Sequence, residues 1–257
     1  MISLRFLGTG GLGSVRIRNK LSKEYRRFSS LLIDERILID PSEDIFELVE
    51  SFKLEDLLDG ISEILITHSH PDHFSISAIE RLAERRRLKV FASSVMRDEL
   101  IGIRNVEYIE IYPFALQRAD KYSILPLPAN HNADSQSEIP LNFLIECDEK
   151  TVFYGLDGAF LNPAAFEILK EIKLNAVILD CALGCDPYSS ASVNHNNLEA
   201  VKIIRDILIA SDAAGDGTKF ILSHIPTSKK RLIHDELVLA IGELPIRVAY
   251  DGYYIGI

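Results

Sequence analysis

Hydrophobic and polar positions alternate at the start of the chain: Ile2, Leu4 and Phe6 carry the period-two spacing of a strand with one buried face. Ser29 to Ile33 and Arg36 to Ile39 read as two more strands that turn at Asp34-Glu35, so antiparallel pairing dominates the opening segment. Ile64 to Thr67 is a short strand, Ser75 to Arg86 a helix with Ile76, Ile79, Leu82 and Ala83 on one face, and Lys89 to Ala92 a strand again. Those three make a βαβ unit. The middle is β-rich, with strands predicted at Tyr108 to Tyr112, Tyr122 to Leu127, Leu141 to Cys147 and Thr151 to Tyr154, and a hairpin turn at Glu149-Lys150. Beyond it come a helix over Pro163 to Ile172 with proline in its first turn, a buried strand at Ala176 to Leu179, and a helix over Leu198 to Ile209. A strand at Lys219 to Leu222 and a helix over Lys229 to Ile241 follow. No linker, low-complexity tract or repeat divides residues 1–257, so one domain is expected. Two mixed β/α halves in succession predict an α/β sandwich, two sheets face to face with helices outside.

Composition narrows the class. The 257 residues are 47% hydrophobic and 26% charged, enough to bury a full core without disulfides or an obligate partner. Lys and Arg total 28 against 38 Asp and Glu, a formal charge of −10 and the wrong sign for wrapping a polyanion, so bulk nucleic-acid binding is disfavoured. No stretch approaches the roughly 18 uninterrupted apolar residues of a membrane span. The opening Met-Ile-Ser-Leu-Arg-Phe-Leu-Gly lacks a basic segment followed by an apolar signal core, and the expected location is the cytoplasm. Cys147, Cys181 and Cys185 are too few for a disulfide framework and read as buried free thiols.

Six of the seven histidines sit just beyond apolar runs or at a helix start. The strongest signal is Thr67-His68-Ser69-His70-Pro71-Asp72-His73, a strand end carrying four potential metal ligands. Residues two apart in an extended segment project to the same side, so His68 and His70 can reach one ion. Pro71 then turns the chain, and Asp72 and His73 can address a second. Imidazole and carboxylate without cysteine suit zinc, manganese or iron. Three other runs end in the same way, at Asn130-His131-Asn132, at Asp157-Gly158 and at His224-Ile225-Pro226, and together they complete two ligand sets.

The series Asp40, His68-x-His70-x-Asp72-His73, His131, Asp157, His224 resembles the five-motif pattern of the metallo-β-lactamase-fold hydrolases, over nearly the whole chain. The resemblance implies a four-layer αββα sandwich of two mixed β-sheets with helices outside. It implies one metal held by His68, His70 and His131, a second held by Asp72, His73 and His224, and Asp157 bridging both. Asp40 would support the ligands from behind. Two divalent ions, zinc or manganese with iron left open, are the expected cofactors.

Within that family, Arg26-Arg27-Phe28-Ser29-Ser30-Leu31-Leu32-Ile33 after Leu7-Gly8-Thr9-Gly10-Gly11 resembles the opening of the PhnP-like cyclic-phosphodiesterase branch. Asn196 with Glu199 makes a capping box, which places His195 just before a helix N-terminus that favours an anion. In PhnP-like enzymes and their tRNase Z relatives a histidine in a comparable position assists at the phosphate. The resemblance therefore implies that His195 holds a phosphate oxygen or protonates the leaving alkoxide, while Asp72 anchors the second ion and orients the nucleophile. One departure stands out: Gly11 to Phe28 lacks the cysteines of that branch's structural zinc. The segment instead carries Arg16, Arg18, Lys20, Lys23, Arg26 and Arg27 against Glu24, a basic island that either steers a phosphate substrate or is a solvated loop.

The expected function is a dinuclear metal-dependent hydrolase that cleaves a phosphodiester in a small cyclic or compact substrate, with water activated between the ions. Two other readings share the fold: an acyl-bond hydrolase of lactonase or thioesterase type, and a non-hydrolytic metal or redox module. The expected partner is a small phosphate-containing anion, with no membrane contact and a homodimer left open. Gly8-Thr9-Gly10-Gly11-Leu12-Gly13 spells G-x-G-x-x-G after a strand, but Ser14 to Lys20 forms no amphipathic helix, so no nucleotide cofactor is expected. Lys229, Lys230 and Arg231 put cations at the start of the last helix, against its dipole and suggestive of anion contact.

Overall fold

The computed structural model describes residues 1–14, 16–227 and 233–257. Its first sheet is built from β1 (Ser3–Gly8), β2 (Ser30–Ile33), β3 (Ile37–Ile39), β4 (Glu63–Leu65), β5 (Leu88–Ala92) and β6 (Val106–Glu110). The second holds β7 (Gln117–Ala119), β8 (Tyr122–Pro128), β9 (Leu141–Cys147), β10 (Lys150–Gly155), β11 (Ala176–Asp180), β12 (Lys219–Ser223) and β13 (Ile246–Val248). A last strand, β14 (Tyr254–Gly256), returns to pair antiparallel with β1, so the orders are β14-β1-β2-β3-β4-β5-β6 and β13-β12-β11-β10-β9-β8-β7. Each sheet is antiparallel in one half and parallel in the other: β3 to β6 and β10 to β13 run parallel, as crossover connections require.

The strands read as continuous apolar runs because both of their faces are covered. In β2, Leu31 and Ile33 enter the core between the sheets while Leu32 packs under the outer helices. In β10, Val152 and Tyr154 face inward and Phe153 outward, and in β11 Ala176 and Ile178 oppose Val177 and Leu179 in the same way. On the first sheet's outer face lie α1 (Asp44–Phe52), through Ile45 and Leu48, and α2 (Ile76–Ala83), through Ile79 and Leu82. The short α3 (Arg97–Leu100) joins them, and α4 (Pro163–Leu169), α5 (Leu198–Ala210) and α6 (Ile233–Ile241) cover the second sheet. The layers are α, β, β, α, the predicted sandwich. No helix among the described residues is long and apolar enough to cross a membrane. Cys147 and Cys181 are buried free thiols, and Cys185 is half-buried.

Several elements differ from the sequence reading. The helix predicted to reach Arg86 stops at Ala83, whose carbonyl accepts the Asn105 side-chain amide at 2.9 Å, freeing Leu88 to enter β5. β6 starts and ends two residues earlier than expected. Helix α1 and the three-residue strands β7, β13 and β14 were not foreseen, although Ile45, Leu48, Val49 and Phe52 carry helical spacing. The last helix is described from Ile233 onward; the cations at 229–231 lie outside the described residues.

The basic segment is not a free cationic surface. Arg26 and Arg27 are fully buried. Arg26 donates to Thr9 Oγ1 and to the Ala249 carbonyl, both at 2.8 Å, while Arg27 pairs with Asp251 at 3.1 Å and Glu47 at 2.9 Å. Arg16 pairs with Asp44, and Lys20 with Glu47 at 2.9 Å. Arg16, Lys20 and Arg27 thus pair with carboxylates from α1 and from the C-terminal segment and Arg26 is buried, while Arg18 and Lys23 stay exposed. Burial pushes the Asp251 carboxyl up to about 6 despite Thr9 and the two arginines beside it, so removing it would strand guanidinium charge in the core. Asp251→Ala is expected to cost about 3–5 kcal/mol in urea denaturation. Asp212→Ala, which breaks the exposed pair with Lys173, should cost under about 1 kcal/mol.

Candidate metal centre

Six strand ends deliver the site. The parallel strands of both sheets point their C-terminal ends to one edge, the usual location of ligand-binding loops in α/β sheets. β3 runs into Asp40, β4 into Thr67 to His73, β8 into Asn130-His131, β10 into Asp157, β11 into Asp180 and β12 into His224. Asp40, Asp157 and His224 all take left-handed backbone angles, with φ of 53°, 48° and 54°. Such conformations are costly for residues other than glycine and collect where the surroundings over-determine the chain.

Two groups of ligand atoms result, each within 4.8 Å of one another: His68, His70, His131 and Asp157, and Asp72, His73, Asp157 and His224. The structure therefore brings together all seven residues expected at the ions, with Asp157 common to both groups. Every imidazole has its outer nitrogen occupied, which fixes the one facing inward. His73 Nδ1 donates to Asp40 Oδ2 at 2.8 Å, and the same carboxylate accepts the Thr67 amide at 2.8 Å and hydroxyl at 2.9 Å. His68 Nδ1 lies 3.0 Å from Thr67 Oγ1, and since that hydroxyl already donates to Asp40, the ring nitrogen is the donor. By the same logic Ser29 Oγ donates to the Gly10 carbonyl at 3.0 Å and accepts from His224 Nδ1 at 3.1 Å. His131 Nδ1 donates to the Asn194 carbonyl at 3.2 Å. His70 is reversed: its Nε2 lies 3.5 Å from Asp134, and its Nδ1 points inward, 2.8 Å from His68 Nε2 and 3.3 Å from His131 Nε2.

The inward atoms converge without satisfying one another. Asp157 Oδ1 lies 2.8 Å from His224 Nε2, and His73 Nε2 is 2.9 Å from Asp157 Oδ2, yet Asp157 Oδ1 and His73 Nε2 are buried without a hydrogen bond. Asp72 Oδ1 is likewise orphaned, while its Oδ2 accepts the Leu12 amide at 2.9 Å. Buried groups of this kind are normally paired. Their lone pairs meet at common points, as donors around a cation do, and the all-nitrogen-and-oxygen set suits two divalent ions.

Electrostatics agree. Burial pushes the Asp157 carboxyl up, but the charges of His224 and His73 outweigh it and hold it well below the carboxylate range. Asp72 falls to about 2 against its burial, because of His73 and then His224. His131 falls to about 4, chiefly through burial, and burial also lowers His68. His73 opposes its burial and rises, through Asp157 and Asp40. Carboxylates are thus favoured in their ionised form and His68 and His131 in their neutral form, while Asp157 shifts His73 and His224 toward protonated rings, whose protons an ion would displace.

A third group adds Asp180 and His195 to Asp157 and His224. Asp180 is fully buried, and its oxygens accept from His195 Nδ1 at 2.8 Å and from the Asn196 and Ala182 amides at 3.0 Å. A carboxylate so saturated orients His195. The His195 ring centroid lies 5.1 Å from that of His131 and 5.5 Å from that of His224, stacked on the latter. Burial opposes the imidazolium, but the Asp180 hydrogen bond and charge raise His195 to about 9. The residue capping α5 is Asn197, whose side chain accepts the Ala200 amide at 2.9 Å, and not Asn196. The shift frees the buried Asn196 side chain to bond Gly158 and Phe160.

The cavity over these groups measures about 480 Å³ and is lined by Leu12, Asn132, Asp134, Asn194, His195 and Pro226 among others. A larger groove of about 650 Å³ lies between α1 and α2, with no histidine in its lining. Gly11, which the sequence offered only as part of a tight turn, packs so closely that a Cβ there would stand 2.4 Å from His224 Nε2. The outer partners Thr67, Ser29 and Asp180 were also missed. Only Thr67 and Asp180 left a signal, each beside a strand end that also carries a histidine or turn.

Comparison with known proteins places this geometry. The family model described as the beta-lactamase superfamily domain matches residues 35–225. No curated relative matches the sequence. Among solved structures, the metallo-beta-lactamase fold protein YhfI from Bacillus subtilis superposes with a TM-score of 0.75 at 17% identity, covering 99% of this chain and 98% of that one. Zn(2+)-bound PqqB from Methylobacterium extorquens gives 0.75 at 16%, covering 99% and 100%. The short form of human tRNase Z gives 0.67 at 13%, covering 99% of both chains.

Stripping divalent ions with a chelator should lower the melting temperature by on the order of 10 °C, and adding back zinc or manganese should restore it. Gly11→Ala should displace His224 and halve the metal bound per chain, measured by elemental analysis, with little loss of helix and sheet signal.

Proposed function

The chain belongs to the beta-lactamase superfamily, and on that premise we propose that it is a dinuclear metal-dependent hydrolase of phosphodiesters, acting on a small cyclic or otherwise compact substrate. His68, His70 and His131 would hold one ion and Asp72, His73 and His224 the other, with Asp157 available to both. Bound there, two divalent ions lower the pKa of water and neutralise charge that builds on the phosphoryl oxygens.

The observation that carries the phosphodiester reading is the Asp180–His195 pair at the rim of the two ligand groups. Asp180 accepts from Nδ1, so the Nε2 of protonated His195 is the edge available to a substrate oxygen. It donates a proton there as the leaving alkoxide departs, and the Asp180 hydrogen bond and charge favour the protonated ring. An acyl substrate does not require such an acid beside the ions. Asp72, anchored by the Leu12 amide, keeps an unpartnered Oδ1 with which it would hold the second ion and so orient the attacking water.

Substrate size follows from charge. Among the described residues, no lysine or arginine lines the cavity. A single phosphodiester would be met there by the ions and His195. Asn132 and Asn194 offer neutral donors and acceptors to the rest of a compact substrate.

The test is turnover of bis-p-nitrophenyl phosphate against a panel of carboxylic esters and lactones, with zinc, manganese or iron restored separately to metal-free protein. Faster hydrolysis of the esters or lactones would overturn the phosphodiester reading in favour of acyl chemistry. His195→Ala should keep both ions and lose about 10²–10⁴ in phosphodiesterase rate. Asp157→Ala should lose metal and turnover together; an active variant with one ion would refute the shared-ligand role.

A further inference from the structure

We propose that Asn196, working with Asn130 across the Gly158–Phe160 peptide, is a positioning residue that sets the distance between His195 and the Asp157 carboxylate. The inference deepens the reading above and rests on it for the acid role of His195. Asn196 is 1% exposed and all its polar reach is used. Its backbone amide donates to Asp180 Oδ1 at 3.0 Å, its Nδ2 donates to the Gly158 carbonyl at 2.8 Å, and its Oδ1 accepts the Phe160 amide at 2.8 Å. From the other side, the Asn130 carbonyl accepts the Ala159 amide at 3.0 Å and Asn130 Nδ2 donates to the Ala159 carbonyl at 3.0 Å. Asn162 Nδ2 steadies Asn130 Oδ1 at 3.1 Å.

Four consecutive polar groups of one short peptide are therefore gripped by two asparagine side chains and one carbonyl. The peptide needs that grip. Asp157 and Phe160 flank it with φ of 48° and 53°, a region bulky aromatic residues seldom enter, and it would relax if released. Asn130 ties the peptide to the adjacent His131, and Asn196 ties it to the adjacent His195. Asp180 completes the second link, because one of its oxygens holds the His195 ring and the other the Asn196 amide. Among the described residues, the hydrogen bonds joining residues 157–160 to residues 194–197 both run through the Asn196 side chain. Its loss removes the direct hydrogen bonds between the Asp157 loop and the His195 loop and leaves only the longer ties, through Asn130-His131 to the Asn194 carbonyl and through the β10–β11 pairing.

The test compares wild type, Asn196→Ala, Asn196→Asp and His195→Ala with cobalt in place of the native ions. Cobalt-shifted proton resonances of the His195 ring report its distance from the centre without reference to activity. They should move or broaden in Asn196→Ala with cobalt content unchanged, and less so in Asn196→Asp, which keeps the acceptor for Phe160 and loses the donor to Gly158. In turnover, Asn196→Ala should leave KM within about 3-fold and cut kcat about 100-fold for phosphodiesters with poor alkoxide leaving groups, yet only a few-fold for p-nitrophenolate. His195→Ala should show the same split. Unchanged cobalt-shifted signals overturn the proposal, and so does an equal loss for every leaving group in a variant whose reference His195→Ala shows the split. If His195→Ala itself shows no split, the phosphodiester acid reading fails, and the cobalt signals still decide whether Asn196 positions the ring. Should Asn196→Ala not fold, Asn196→Asp carries both readouts.

Discussion

A single buried carboxylate sets the terms for the rest of this molecule. Asp157 lies within 2.8 to 3.7 Å of four imidazole nitrogens from His68, His73, His131 and His224, and one of its oxygens accepts no hydrogen bond from any of them. An ionised carboxylate left so in a protein interior costs several kcal/mol or more, and protonating the surrounding rings offsets it only by crowding like charges together. Cations shared between the carboxylate and the rings resolve both problems at once. The sandwich can be understood as the frame that forces this convergence, because no one strand carries all the donors. They arrive from the ends of β4, β8, β10 and β12, and the two sheets must be packed face to face for those ends to meet.

The frame holds because each ligand is fixed from outside as well as inside. Asp40 binds His73 and Thr67, Thr67 binds His68, Ser29 binds His224 and the Asn194 carbonyl binds His131. These contacts choose which ring nitrogen is left for an ion, and they put the strain of three left-handed residues into a lattice stiff enough to bear it. The buried arginines belong to the same lattice. Arg26 grips Thr9, whose carbonyl accepts the Ile225 amide at 2.7 Å, the residue after His224. A buried cluster of charges thereby holds one end of the ligand set.

How much of this could be read from the chain depended on the range of the interaction. The His68 to His73 motif was legible because period-two spacing in a strand decides locally which side chains share a side, and the sandwich because apolar runs alternate with helical spacing over ten residues. Ser29 and Asp180 were not, since they act on residues 195 and 15 positions away. The basic segment misled for the same reason. Counting charges treats them as solvated, whereas the carboxylates that neutralise Arg27 stand 20 and 224 positions off, on α1 and near the C-terminus. Asn196 shows how a correct motif can mislead by one residue. The capping box spelled with Glu199 was plausible, but Asn197 caps α5, and the buried Asn196 side chain turned out to be bonded across the site instead.

The charge balance then takes on a different meaning at the site than over the surface. A chain of net charge −10 repels polyanions at long range, and among the described residues the cavity lining holds no lysine or arginine. Two divalent ions reverse the sign locally, since their four charges exceed those of Asp72 and Asp157, while leaving the exterior acidic. Attraction is therefore confined to within about a Debye length of the ions, roughly 8 Å at physiological ionic strength. On the proposed phosphodiester reading, a substrate would have to bring its anionic group into the cavity before it is held, which compact molecules would do more readily than long chains. His195 extends that short-range attraction by one more donor, and Asp180 pays for its proton.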